Sequence, residues 1–206
     1  MTAGPTDPGE QWPLAGHTEL RDRLVAAYAD PDRGYHDLRH LAEVLERVAE
    51  LLAVTPAGVD AEAVRLAAWF HDAVYDGGAD DEERSAQLAV HELSRAGLPL
   101  AVVEEVARLV RTTAAHRPAA DDPAGQVLCD ADLAILAAGS ERYREYVDGV
   151  RREYAAIPEA DFRAGRAAVL RDLLAKPTLF HTGHGLAHWE QPARANVQQE
   201  LESLRA

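Results

Sequence analysis

The sequence predicts an all-α, single-domain helical bundle, and three observations carry that reading. Apolar residues recur at three- and four-residue spacing in almost every segment between breakers. In "LRHLAEVLERVAELLAV", for example, Leu38, Leu41, Leu45, Val48 and Leu52 fall near one face. No segment shows the sustained alternation of β-branched or aromatic residues that marks a half-buried strand. The chain has 206 residues, 47% of them hydrophobic and 27% charged, which suits one large core better than two small ones.

Residues 1–16, "MTAGPTDPGEQWPLAG", have no apolar period and read as a flexible leader to a domain over 17–206. They also lack the basic and apolar regions of a signal peptide. Thr18 is the expected cap of a first helix through Ala29, stopped by "DPDRG". Asp37 caps the second helix, which Thr55-Pro56 and Gly58 end. Asp60 opens the third, "AEAVRLAAWFHDAVYD", and Gly77-Gly78 closes it. A fourth spans about 81–96 with Gly97 as its stop, and Pro99 suits the first turn of a fifth, "LAVVEEVARLVRTTAAH". Beyond a loop with Pro118, Pro123 and Gly125, helices are expected over about 126–138, 140–156 and 159–175, divided by Gly139-Ser140 and Pro158. The loop "KPTLFHTGHGLAHWE" then leads to a last helix near 193–205.

Charge and cysteine content narrow the function. The formal net charge is −14, from 35 acidic and 21 basic side chains, and there is no basic run, so a nucleic acid duplex is not an expected partner. The single cysteine, Cys129, forms no disulfide framework and reads as a small buried hydrophobe in a reducing compartment. No apolar stretch approaches the roughly 18 residues that span a bilayer. A cytoplasmic protein without a membrane partner is expected; nothing in the sequence specifies an oligomeric state.

The chemistry centres on His71-Asp72, set in the apolar run "LAAWFHDAVYD". Burying such a pair is costly unless it is hydrogen-bonded or bound to a metal. Adjacent helical residues point about 100° apart, so a cation shared by both must lie in a groove and draw other ligands from other helices. Candidates are His36 and His40 in "YHDLRH", His116 in "RTTAAH", and Asp130 and Asp132 in "LCDADLAIL". Mixed imidazole and carboxylate ligands suit Mn²⁺, Fe²⁺, Co²⁺, Ni²⁺ or Zn²⁺ more than Ca²⁺.

In order, "YHDLRHLAEVL", "AAWFHDAVYD", "DDEERSAQLA", "RTTAAH", "LCDADLAIL", "YREYVDGVRREY" and "ARANVQQEL" resemble the landmarks of the HD-domain superfamily, in its predicted metal-dependent phosphohydrolase branch. The resemblance covers about 17–206. It implies that His40, His71, Asp72 and Asp132 hold one or two divalent metal ions, with Asp130 the alternative ligand or a partner behind the ligands. It implies hydrolysis of a phosphomonoester or phosphodiester of a small, nucleotide-like metabolite by metal-activated water. His116 matches a histidine of the branch and would contact phosphate or a second metal.

Further roles are read from position. Asp76, one turn after Asp72, would orient the water or serve the leaving group. Glu83, between Glu82 and Arg84, opens the next helix close in sequence to the pair. Arg151, beside Arg152, offers a guanidinium to an anionic substrate; the competing reading of Arg151, Arg152 and Glu153 is a solvated helix face. His36 shares a face with His40 and reads as a contact behind the ligands. Tyr143, Tyr146 and Tyr154 read as packing residues. His181, His184 and His188 imitate a zinc clip but have no cysteine or acidic cluster at fixed spacing. Two other functions fit the same residues: a di-iron oxygenase, which needs further ligands such as His116 with His91 or His36, and a non-catalytic metal-stabilised nucleotide-binding module.

Overall fold

The computed structural model describes residues 7–55 and 57–204, and every regular element among them is helical. The α-helices are α1 (Thr18–Tyr28), α2 (Leu38–Val54), α3 (Ala61–Phe70), α4 (Asp81–Arg95), α5 (Leu100–Thr113), α6 (Pro123–Leu133), α7 (Ser140–Glu153), α8 (Glu159–Ala175), α9 (Gly183–His188) and α10 (Glu190–Ser203). No helix among the described residues is long and apolar enough to cross a membrane.

α3 is the axis of the bundle. From Ala63 to Phe70 only Arg65 escapes full burial, and α2, α4, α5 and α6 all pack on this helix. Its alanines at 63, 67 and 68 let those neighbours approach, while Trp69 and Phe70 fill the larger gaps. Two helix starts are capped as the sequence indicates, although at α1 the cap position falls on His17 rather than Thr18. Asp37 accepts from the amides of Arg39 and His40, and Asp60 from those of Glu62 and Ala63. Gly97, at φ +80°, provides the left-handed residue that ends α4.

Three expectations need correction. α3 ends at Phe70 rather than running to Asp76, and His71 is its C-cap. α6 begins three residues early, because Pro123 takes a first-turn position behind the Asp122 cap, and it yields after Leu133 to a 3-10 turn over Ala134–Ala137. The segment before α1 is not a loose leader over its described part. Asp7 caps a 3-10 turn at Pro8–Gln11, the Trp12 ring meets the Trp69 ring edge-on at 5.0 Å, and Leu14 is buried. Residues 1–6 lie outside the described residues.

Candidate metal centre

Three elements bring four side chains together. The Asp37 cap fixes the first turn of α2 and so the direction of His40. At the end of α3 the chain leaves the helix, with the Ala73 amide bonded back to the Phe70 carbonyl. That turn resolves the 100° divergence of adjacent helical residues and lets His71 and Asp72 face one point. The end of α6 supplies Asp132.

His40 Nε2 and His71 Nε2 stand 3.1 Å apart. Asp72 Oδ2 is 3.3 Å from the first and 3.1 Å from the second. Asp132 Oδ1 is 3.3 Å and 3.6 Å from the same two nitrogens. Ligands about 2.1 Å from a common cation at tetrahedral or octahedral angles are about 3.0–3.4 Å apart, so His40, His71 and Asp72 are spaced as ligands of one transition-metal ion would be, while Asp132 approaches the same two nitrogens but lies outside that group. His40, His71 and Asp72 offer ligand atoms all within 4.8 Å of one another.

The tautomer of His71 is fixed by its surroundings. Its Nδ1 lies 2.8 Å from the Ala68 carbonyl oxygen. A carbonyl only accepts, so Nδ1 carries the hydrogen and the Nε2 lone pair is available to the centre. Burial resists charge on both imidazoles, but Asp72 and Asp132 outweigh it: His40 is raised, and His71 well above the usual histidine range. Burial likewise resists ionisation of both carboxylates, yet contacts with His71, His40 and, for Asp132, His116 hold them well below the usual range. Without a cation the cluster is a proton-sharing network.

The supports of the centre are mostly residues whose roles the sequence did not suggest. Arg33 Nη1 donates to the carbonyls of His36 and Asp72, and Nη2 to that of Ala73, at 2.8–3.2 Å. Its guanidinium lies over the Tyr28 ring. One cation thus ties the loop before α2 to the turn that carries the His-Asp pair. The Tyr28 hydroxyl accepts from the Asp72 amide and donates to the Trp69 carbonyl; burial pushes its pKa up to about 12. Glu153 gathers the amides of Gly34, Tyr35 and His36, the His36 ring at Nδ1 and the Tyr75 hydroxyl. It is a buried anchor, not part of a solvated face. Its place was legible, since Tyr146, Val150 and Glu153 recur at helical spacing; Arg33, inside a breaker segment, carries no such signal.

The two aspartates of "CDAD" separate cleanly. Asp132 faces the centre, and its Oδ2 accepts from His116 Nε2 at 2.8 Å. Asp130 faces away, fully buried, where it accepts from the amides of His181 and Thr182, the Thr182 hydroxyl and the His181 ring. It ties down the histidine-bearing loop and contributes nothing to the cluster around His40 and His71. The three histidines of that loop do not converge on one point: the His184 and His188 rings meet at 4.6 Å and His184 also reaches Glu50 at 2.9 Å, but His181 turns away to Asp130.

The structure does not bring Asp76, Glu83 or Arg151 to the centre. Asp76 is exposed and paired with Arg84 at 2.7 Å, which lowers its pKa. Glu83 is paired with Arg111 through both oxygens, which lowers its pKa to about 2. Arg151 closes the α7–α8 corner on Glu159 and the Tyr154 carbonyl. In each case a nearby surface partner of opposite charge or a backbone carbonyl takes the group. Of the further ligands considered for two irons, His91 is exposed on α4, His36 is held by Glu153, and only His116 touches a ligand.

Two clefts meet at Tyr35, Asp132 and Ile135. One, of about 380 Å³, is bordered by Arg39, Arg142 and Glu43, with Arg142 clamped on both oxygens of Glu43 at 2.7 Å. The other, of about 590 Å³, opens between α7 and α8. Comparison with protein-family models, curated proteins and solved structures gave no match for this chain.

Proposed function

We propose that the chain is an HD-type metal-dependent phosphohydrolase acting on a phosphomonoester or phosphodiester of a small metabolite. The observation that supports this most is the convergence of His40 Nε2, His71 Nε2 and Asp72 Oδ2 at 3.1–3.3 Å, with Asp132 Oδ1 3.3 and 3.6 Å from the two nitrogens. A divalent Mn, Fe, Co, Ni or Zn ion held there would polarise a phosphoryl oxygen and supply hydroxide near neutral pH.

The surrounding residues suit that chemistry. The Glu153 carboxylate can only accept, so it holds the hydrogen of His36 on Nδ1 and leaves Nε2 to exchange a proton with a leaving-group oxygen. The stacked Tyr75 ring, 4.1 Å away, fixes the imidazole plane. His116, donating from Nε2 to the far oxygen of Asp132, borders the same cleft, and as an imidazolium it would offer its Nδ1–H to a phosphoryl oxygen.

The test is elemental analysis of purified wild type beside His71→Ala and Asp72→Ala, then a phosphoester panel with the metal found. About one or two equivalents in wild type, a large loss in both variants and turnover of an ester are expected. Metal that binds equally to all three proteins, or no turnover with any of the five metals, would overturn the proposal.

A further inference from the structure

The larger cleft has a polar inner end and apolar walls. His36, His116 and Asp132 line it where it meets the metal centre. Outward its lining includes Tyr75, Tyr146, Tyr154, Ile157, Phe162 and Val169. Three of these are large apolar side chains left open to solvent: Tyr154 at 38%, Ile157 at 42% and Val169 at 52%. Exposed apolar residues scattered singly are ordinary, but a group of them around one concavity marks a binding surface. Gly165 sits in the middle of α8 on the same wall, and a Cβ placed on it would meet nothing within 4 Å. Glycine is a poor helix residue; here it widens the cleft.

The charges point the same way. The one cationic side chain of this wall, Arg166, is taken by both oxygens of Glu200 and by the Tyr146 hydroxyl. Asp161 adds an exposed carboxylate to the lining. Among the described residues of the lining no lysine or arginine is left for a second phosphate or a carboxylated tail. At the inner end the Tyr35 hydroxyl is buried without a hydrogen-bond partner, beside Asp132 in the cleft lining. A phosphoryl oxygen would supply the acceptor it lacks.

We infer that this cleft is the organic-group subsite of the metal centre, and that it takes a phosphomonoester of an uncharged apolar or aromatic alcohol rather than a nucleoside polyphosphate. The inference rests on the phosphohydrolase reading for the phosphate, and on the cleft alone for the group attached to it. A volume of about 590 Å³ accommodates a fused ring or a branched alkyl chain.

The experiment compares kcat/KM of the metal-loaded full chain for 1-naphthylmethyl phosphate, whose leaving group is an alcohol of acidity comparable to methanol, methyl phosphate, AMP and ATP. It also measures binding of 1-naphthylphosphonate and methylphosphonate by calorimetry. Naphthylmethyl phosphate is expected to exceed methyl phosphate by about thirtyfold or more, the size of effect that burying a ring system gives, and to exceed both nucleotides. Val169→Trp and Gly165→Leu, which fill the cleft from an exposed and an open position, should each cut the naphthylmethyl-to-methyl ratio about tenfold. A ratio near one, a preference for AMP or ATP, or a ratio unmoved by both variants would overturn the inference while leaving the hydrolase reading intact. Turnover of none of the four esters would instead overturn the monoester half of that reading, and the phosphonates then decide the cleft. Tighter binding of the naphthyl compound that Gly165→Leu weakens would uphold the subsite, and equal binding would reject it.

Discussion

Asp130 and Asp132 show how far identical side chains two positions apart can diverge. Asp132→Asn is expected to strip metal from the protein on dialysis while leaving it folded. Asp130→Asn should retain the metal but lose about 2 kcal/mol of stability, because a neutral amide cannot accept all the donors now gathered on that buried carboxylate. Elemental analysis and urea unfolding of the two variants distinguish these outcomes. Glu153 carries a pH signature. Contacts with the His36 ring and the loop amides overcome its burial and lower its pKa from 4.5 to about 2, with the side chain 4% exposed. A depressed carboxylate pKa stabilises the fold above the unfolded value and loses that contribution as pH falls toward the folded one. Wild type should therefore exceed Glu153→Gln by about 3 kcal/mol near pH 6. The gap should close between about pH 4.5 and 2, as read by urea unfolding across that range. A gap independent of pH would mean that the amide replaces the carboxylate's contacts badly but its charge is irrelevant. The sequence alone does not separate the two aspartates, because which of them faces the centre depends on how α6 is rotated against its neighbours, whereas the inward turn of Glu153 was legible from its helical spacing with Tyr146 and Val150.

At the level of elements, capping and periodicity made most helices legible: Asp37, Asp60 and Gly97 act where their residue types and positions indicate. What could not be read is where tertiary contacts override local pattern. The apolar period continues past Phe70 into "HDAVYD", yet the chain breaks there because Tyr28 and Arg33, from a distant segment, take the amide and carbonyl groups that a longer helix would have used. The segment before α1 fails in the opposite sense. It has no period, and two apolar side chains suffice to dock it. Trp12→Ala is expected to cost about 2 kcal/mol and lower the melting temperature, since it empties the space against Trp69. An unchanged melting temperature would return residues 7–16 to the status of a loose leader.

Across the whole molecule, the proposed ligands come from positions 40, 71, 72 and 132, so the centre exists only when α2, α3 and α6 are assembled. Anything that binds the folded form alone stabilises it by mass action, by about 2.7 kcal/mol at a hundred times its dissociation constant. Chelation should accordingly lower the melting temperature of wild type and leave that of His71→Ala unmoved. The raised pKa values of His40 and His71 add a sign. A metal ion must displace protons that the two carboxylates help to hold, so affinity weakens as pH falls and binding releases protons. Calorimetric titration in buffers of different ionisation enthalpy counts them; zero protons released would contradict the network. One further property of the fold is practical. Cys129, the only cysteine in the sequence, is wholly buried, with burial raising its thiol far above the normal range. Maleimide chemistry at neutral pH should therefore pass it by, so a fluorophore on a cysteine introduced at Ala168, exposed on α8 beside the cleft but not in its lining, would report cleft occupancy without a cysteine-free background having to be engineered first.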